Sequence, residues 1–159
     1  MMKVQNIIHE STLALLPVKD IEYQTQVLEE NRVYLVRETP LEIIKHACKM
    51  EWTTYDGRRE AVIERTGYEK KVPIPINTYK KIAAFPTHGT KNIDCKWIFG
   101  NQIHHIREHP SNPKGSIVVF KNRQHLILHD VSYHILQQQY ERVLPFVVRR
   151  EDYIFSRRN

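Results

Sequence analysis

The chain has 159 residues, a length that suits one domain of ordinary size. It is 41% hydrophobic and 26% charged with only 5 Gly, which excludes a disordered or fibrous protein and favours a globular one. Residues 1–44 carry four basic and seven acidic residues, whereas residues 45–159 carry 20 basic and 11 acidic ones. Because this excess of positive charge belongs to the body of the chain, it favours a polyanionic partner. A basic soluble protein without such a partner is the alternative.

The two cysteines, Cys48 and Cys95, are far apart in the sequence and form no CxxC pair. This spacing is weak support for a disulfide or a zinc site, so we expect free, buried thiols in a reducing compartment. The N-terminal sequence has no basic segment followed by an apolar run, and no stretch reaches about 18 apolar residues. We therefore expect no signal peptide, no membrane span and a cytoplasmic location.

Strand signals come first along the chain, and a helix start follows them. Two short apolar and β-branched runs predict strands: Thr12 to Leu16, which Pro17 ends, and Arg32 to Val36. Thr39 then provides a helix N-cap, and Pro40 fits the first helical position. The sequence therefore predicts two strands before an early helix.

This early helix is predicted to be amphipathic and to end near Trp52. Ile44 and Cys48 recur at helical spacing on its apolar face. Lys45 and Lys49 lie one turn apart on the other face, where they either contact phosphates or are simply solvated.

A tight turn is predicted over Tyr55, Asp56 and Gly57, and it leads into Arg58 and Arg59. We expect Gly57 to supply a backbone conformation that is strained for other residues, and Tyr55 to pack beneath the turn. Two guanidinium groups fixed in this way are suited to phosphates or to a narrow DNA minor groove. The alternative is a solvated turn whose arginines pair with nearby surface glutamates.

The rest of the chain reads mainly as β-structure followed by a late helix. Strands are predicted at Ala61–Ile63, Lys71–Ile76, Ile82–Phe85, Trp97–Phe99 and Gln102–Ile106, and as a hairpin of Ile117–Phe120 with His125–Leu128. Lys121 and Arg123 lie at the predicted hairpin tip, where they are candidates for backbone contacts with nucleic acid. Ser132 is expected to cap the late helix and Pro145 to end it. The predicted fold class is α+β: a mostly antiparallel sheet, barrel-like or bent, with one early and one late helix.

Metal and enzyme chemistry have weak support in the sequence. His104, His105 and His109 invite a metal hypothesis, but adjacent residues of a strand face opposite sides, so the first two should not share a site. Asp56 and Glu64 with a following lysine faintly resemble a metal-dependent nuclease at a spacing that is common by chance. No phosphate-binding or dinucleotide-binding glycine motif is present. We expect no cofactor, no metal and no enzyme.

Three blocks in order carry a family signature. They are Pro40-Leu41-Glu42-Ile43 through Cys48, Tyr55, Gly57 and Arg58; Phe85-Pro86-Thr87, seven residues, then Cys95-Lys96-Trp97-Ile98; and Ser132-Tyr133 leading into Gln138-Gln139-Tyr140-Glu141-Arg142. Across roughly residues 10–150 the chain resembles the ComK family, the competence transcription factors of Gram-positive bacteria. We expect one ComK-like domain over residues 1–150 and a short basic tail over residues 151–159, where family members typically extend further.

The resemblance implies a DNA-binding activator that recognises A·T-rich boxes, largely through the minor groove, as a homodimer or higher oligomer. It also implies control by an adaptor of the Clp protease. The candidate DNA-binding residues are Lys45, Lys49, Tyr55, Gly57, Arg58, Arg59, Lys96, Lys121 and Arg123. A second hypothesis is a protein-interaction module, a shortened family member that forms oligomers without activating transcription.

Overall fold

The computed structural model describes residues 6–148, and they adopt the predicted α+β fold. The strands are β1 (Thr12–Pro17), β2 (Thr25–Glu29), β3 (Val33–Val36), β4 (Ile74–Asn77), β5 (Ile82–Pro86), β6 (Trp97–Phe99), β7 (Ile103–Glu108), β8 (Ser116–Phe120) and β9 (His125–Leu128). The helices are α1 (Pro40–Met50), α2 (Tyr55–Thr66) and α3 (Tyr133–Val147), and a short 3-10 turn covers Gly100–Gln102. The predicted tail, residues 151–159, lies outside the described residues.

The strands form two antiparallel sheets. The larger has six strands in the order β3-β2-β1-β6-β5-β4, and the smaller has three in the order β7-β8-β9. Across residues 6–148 both sheets are open. Of the two predicted forms, barrel-like or bent, the strands therefore do not form a closed barrel. The hairpin predicted around Lys121 to Arg123 is confirmed as the β8–β9 pair, whereas β2 was not predicted.

The six-stranded sheet is covered on both faces, because its central strands are apolar on both sides. Trp97 and Phe99 face a core shared with α1, whereas Ile98 between them faces a core shared with α3 and the smaller sheet. The molecule therefore has three layers, with α1 and α2 on one side of the large sheet. On the other side lie α3 and the small sheet. This layering decides which charged residues are neighbours.

Helix α1 begins as predicted. The Oγ1 of Thr39 accepts a hydrogen bond from the backbone N–H of Glu42 at 3.2 Å, and Pro40 occupies the first turn. The buried face includes Ile43 and Ile44, each contributing roughly 1.5–3 kcal/mol through the hydrophobic effect. The early helix is thus fixed by both its cap and its packing.

Helix α2 replaces the predicted turn and the strand that was expected to follow it. Thr54 is its N-cap, and the Thr54 Oγ1 accepts from the backbone N–H of Gly57 at 3.0 Å. The negative charge of Asp56 in the first turn interacts favourably with the helix dipole. Gly67, with φ 78° in the left-handed region, ends the helix. Only Val62 of this helix is buried, so the apolar periodicity that would reveal a helix is missing.

Gly57 has a role different from the predicted one. It lies in the first turn of α2 and does not have the positive φ expected for a strained turn. A Cβ at this position would lie 2.9 Å from the Thr54 Oγ1. Glycine therefore leaves room for the hydroxyl that caps the helix.

Helix α3 is capped by Ser132 as predicted, but it does not end at Pro145. The Ser132 Oγ accepts from the backbone N–H of Ile135 at 3.4 Å, and the helix continues to Val147. Only two helical residues follow the proline, so its missing N–H falls in the last turn and disturbs little of the helix. No helix among residues 6–148 is both long and apolar enough to cross a membrane.

Candidate nucleic-acid interface

Four residues, Glu51–Thr54, connect α1 to α2, and basic side chains lie on both sides of this connection. Lys45 and Lys49 are exposed on α1, one turn apart, as the sequence predicted. Arg58 and Arg59 are half-buried in α2. The structure therefore brings these four predicted residues into one helix pair.

Tyr55 anchors the start of α2 to the protein core. Its ring meets the ring of Trp97 edge-on, with centroids 6.3 Å apart, and the Lys45 Nζ lies 6.0 Å from the Tyr55 centroid. Burial raises the pKa of Tyr55, and the charge of Arg59 opposes that shift. The tyrosine is thus a packing residue that fixes the position of the two arginines.

Arg58 points back toward α1. Its Nε is covered and has no hydrogen-bond partner among the described residues. Burial raises the pKa of Cys48 to about 11, and the nearby Arg58 charge opposes that shift. Both Cys48 and Cys95 are free and buried, as predicted. A covered donor without an acceptor is unfavourable in a folded protein, and the described residues supply no acceptor for this one.

Arg59 points in another direction, into a cleft of about 420 Å³. Its Nη2 donates to the Glu69 carbonyl oxygen at 3.3 Å. Lys70, Lys71 and His88 also line the cleft. Within residues 6–148 no carboxylate lies at ion-pair distance from either arginine, so the predicted alternative of arginines paired with nearby glutamates does not apply there.

Helix α3 fixes the lysine side of this cleft. The Gln139 side chain is buried and donates to the Lys71 carbonyl at 2.9 Å and to the Pro86 carbonyl at 3.2 Å. The Arg142 guanidinium lies over the ring of Tyr68 at 4.7 Å. These contacts join segments that are far apart in sequence, and the sequence did not predict them.

Lys96 lies beside the same cleft. Its backbone N–H donates to the Thr87 Oγ1 at 2.9 Å, and the Thr87 N–H donates to the Lys96 carbonyl at 2.8 Å. Thr87 lines the cleft, so Lys96 belongs to this region of the surface.

Lys121 and Arg123 lie elsewhere. They are exposed at the tip of the β8–β9 hairpin, which belongs to the layer on the opposite side of the large sheet from α1. Asn122 between them donates to the Glu30 carbonyl at 3.3 Å, which ties the tip to the turn between β2 and β3. The structure therefore divides the predicted DNA-binding residues between two surfaces.

The prediction that His104 and His105 face opposite sides is wrong. The pairing of β7 with β8 is irregular between Ile103 and His105, and the two Nδ1 atoms are 2.6 Å apart. An irregularity of this kind re-aims side chains along a strand. Burial and the charges of His104 and Arg107 lower the pKa of His105. Within residues 6–148 no three metal-binding side chains form a group.

A protein-family model described as the ComK protein matches residues 3–154. The chain belongs to the ComK family. A curated relative, the competence transcription factor of Bacillus subtilis (strain 168), is 26% identical over 151 residues, which cover 94% of this chain and 77% of that protein. No solved structure matches the chain.

The three sequence blocks that carry the resemblance to the ComK family meet in the structure. Tyr55 from the first block packs on Trp97 from the second. Gln139 from the third donates to the carbonyl of Pro86 in the second. Helices α1 and α2 and the adjoining cleft form one surface, which we call the α1–α2 surface. Each of the three blocks helps to position it.

Proposed function

We propose that this ComK-family chain is a competence transcription factor that binds A·T-rich duplex DNA through the α1–α2 surface. The observation that carries the proposal is the pair Arg58 and Arg59, positioned by a capped helix and free of ion pairs within residues 6–148. The similarity to the competence transcription factor of Bacillus subtilis supports the regulatory role.

The electrostatics of the surface favour the minor groove. A-tracts have a narrow minor groove with an enhanced negative potential, which attracts arginine. The exposed Lys45 and Lys49 and the cleft residues Lys70 and Lys71 are then available for flanking phosphates. In this arrangement the arginines supply the A·T preference and the lysines supply affinity.

The proposal includes a cytoplasmic protein that acts as a homodimer or higher oligomer and has no catalytic activity. Oligomerisation fits a protein that reads repeated boxes, because a symmetric assembly matches a symmetric site. Recognition by an adaptor of the Clp protease is proposed on the family resemblance alone.

The test is a titration of the purified protein against two duplexes of equal length, one with paired A-tract and T-tract boxes a helical turn apart and one rich in G·C. Both are titrated across a salt series, with and without magnesium. We expect a strong preference for the A·T duplex, no cleavage, and a log–log salt slope on the order of −5 if about six phosphates are contacted.

Two other outcomes of this titration would overturn the proposal. Equal, weak and salt-sensitive binding to both duplexes, with self-association retained, would favour the protein-interaction module. Magnesium-dependent cleavage would instead favour a nuclease.

A further inference from the structure

Trp52 is an unusually exposed aromatic residue in the connection between α1 and α2. The residue is 98% exposed, whereas Trp97 in the core is 1% exposed. It lies in the four-residue connection between the two helices, three residues after the exposed Lys49. The indole therefore covers no part of the described protein.

The backbone at Trp52 has a conformation that normally selects glycine. Trp52 has φ 61°, in the left-handed region. Its N–H donates to the Lys49 carbonyl at 3.1 Å, and the N–H of Thr53 donates to the Cys48 carbonyl at 3.2 Å. These two bonds form the Schellman motif that ends many helices, in which the left-handed position is usually glycine because a side chain there is strained.

Folding therefore explains neither the strain nor the exposure of this residue. Glycine would end α1 with the same hydrogen bonds and without the steric conflict, and the indole makes no packing contribution that would offset it. Strained residues that persist in a fold are often found at binding sites. The tryptophan side chain is thus best explained by a partner outside the chain.

The charges around Trp52 indicate the chemistry of that partner. Lys45 and Lys49 precede it on the exposed face of α1, and Arg58 and Arg59 follow it in α2. Two acidic residues, Glu51 and Asp56, lie between these cations, so the four basic residues outnumber them. Trp52, with the half-exposed Met50 close to it in sequence, is an apolar feature that has cations on both sides. This arrangement matches a known mode of minor-groove binding, in which an apolar wedge enters between base pairs while basic residues contact the groove and the phosphates. A protein partner would more commonly select a broad apolar patch.

We propose that the Trp52 indole inserts between base pairs of the bound A·T-rich duplex and stacks on an exposed base. The inference rests on the proposed function and adds the residue that contacts the bases by stacking. The arginines then set the groove preference, and Trp52 adds affinity that depends little on salt.

Fluorescence tests the proposal directly, because Trp52 and Trp97 are the two tryptophans of the chain. With Trp97 buried, acrylamide should quench mainly the Trp52 emission of the free protein. In the complex with the A·T duplex we expect the Trp52 emission to fall and its acrylamide quenching to decrease severalfold. The Trp52→Phe variant identifies the Trp97 signal, which should not change.

Affinity measurements use a variant that keeps the fold. Trp52→Gly suits the left-handed backbone, so its melting temperature should stay within a few degrees of the wild-type value. We expect its affinity for the A·T duplex to fall on the order of tenfold, which corresponds to about 1.4 kcal/mol. Trp52→Phe should retain most of the affinity. Tyr79→Ala removes another aromatic side chain, 92% exposed at the β4–β5 turn, and should bind like the wild type.

The outcomes separate this inference from the proposed function. One outcome is that the wild type prefers the A·T duplex while Trp52 emission is unchanged and Trp52→Gly binds normally. The proposed insertion of Trp52 is then wrong, whereas the proposed binding of A·T-rich DNA through the α1–α2 surface is retained. If Trp52→Gly instead abolishes self-association without DNA, Trp52 belongs to an interface between copies. If the wild type shows no preference for A·T, the proposed function fails and the wedge fails with it.

Discussion

A buried carboxylate stabilises the edge of the large sheet. Glu29 in β2 is 4% exposed and has three partners: His9, Arg32 and Tyr34. The Arg32 Nε donates to the Glu29 Oε1 at 2.6 Å. Burial alone would raise the pKa of Glu29, but the hydrogen bonds from Arg32 and Tyr34 outweigh it, so the pKa is lowered. The ionised form is therefore favoured by folding.

We predict that Glu29→Gln lowers the free energy of unfolding by about 1–2 kcal/mol at neutral pH. The native pKa is lowered, so the contribution of Glu29 is present above the unfolded-state pKa of about 4.3 and is lost as the pH falls through the lower native pKa. The difference between wild type and variant should therefore narrow in acid, as measured by urea unfolding from pH 7 to pH 3. Glu22→Gln, which removes an exposed partner of Arg37, is the control and should have little effect. A constant difference at all pH values would contradict the ionised pair.

Helix α2 depends on its cap more than on its packing, because Val62 is its buried residue. We predict that Thr54→Ala lowers the free energy of unfolding by about 1 kcal/mol. It should also fray the start of α2, which carries Arg58 and Arg59. Thr54→Ser keeps the capping oxygen and should behave like the wild type. Thermal unfolding and binding to the A·T duplex measure the two effects. Wild-type behaviour of Thr54→Ala in both would show that the cap does not matter.

The packing of α3 leaves no room at the 3-10 turn. A Cβ on Gly100 would lie 2.4 Å from the Val143 Cγ1, and Val143 is fully buried and stiff. We predict that Gly100→Ala lowers the free energy of unfolding by about 1–3 kcal/mol, because α3 must shift. Gly89→Ala has open space around its Cβ and is the control. If denaturant unfolding shows the two variants to be equally stable, the predicted steric conflict between residue 100 and Val143 is wrong.

The two early helices show what could be predicted from the sequence. Helix α1 was predicted because Thr39 and Pro40 mark its start and its buried residues recur at helical spacing. Helix α2 was missed because most of it is exposed, so no apolar period is present, and Ala61 to Ile63 favoured a strand. The signal that was overlooked is Thr54, which is followed two residues later by an acidic residue at the helix start.

At the scale of the molecule, the candidate site depends on contacts that a linear pattern does not contain. Gln139 reaches the carbonyl of Lys71 across 68 positions of sequence and fixes the lysine side of the cleft. The family blocks predicted that these regions matter, but only the fold shows that they meet. The same layering separates Lys121 and Arg123 from the helix pair, although all were predicted as one set of DNA contacts.

This separation gives a test in which net charge is matched. Three double variants each remove two positive charges: Arg58→Ala with Arg59→Ala, Lys70→Ala with Lys71→Ala, and Lys121→Ala with Arg123→Ala. We expect the arginine pair to weaken binding to the A·T duplex more than tenfold and to reduce the A·T preference, because arginines in the groove sense its width.

The two lysine-containing pairs should affect binding differently from the arginine pair, because neither should change the A·T preference. Loss of Lys70 and Lys71, which line the cleft with Arg59, should weaken binding equally to both duplexes and lower the salt slope by about 2. Loss of Lys121 and Arg123 should change affinity threefold or less, because a stiff duplex on the α1–α2 surface does not reach the opposite layer of the large sheet. Titrations of all three variants at several salt concentrations measure these differences. Equal losses would mean that net charge alone governs binding, and the arginines at the start of α2 would then have no special role.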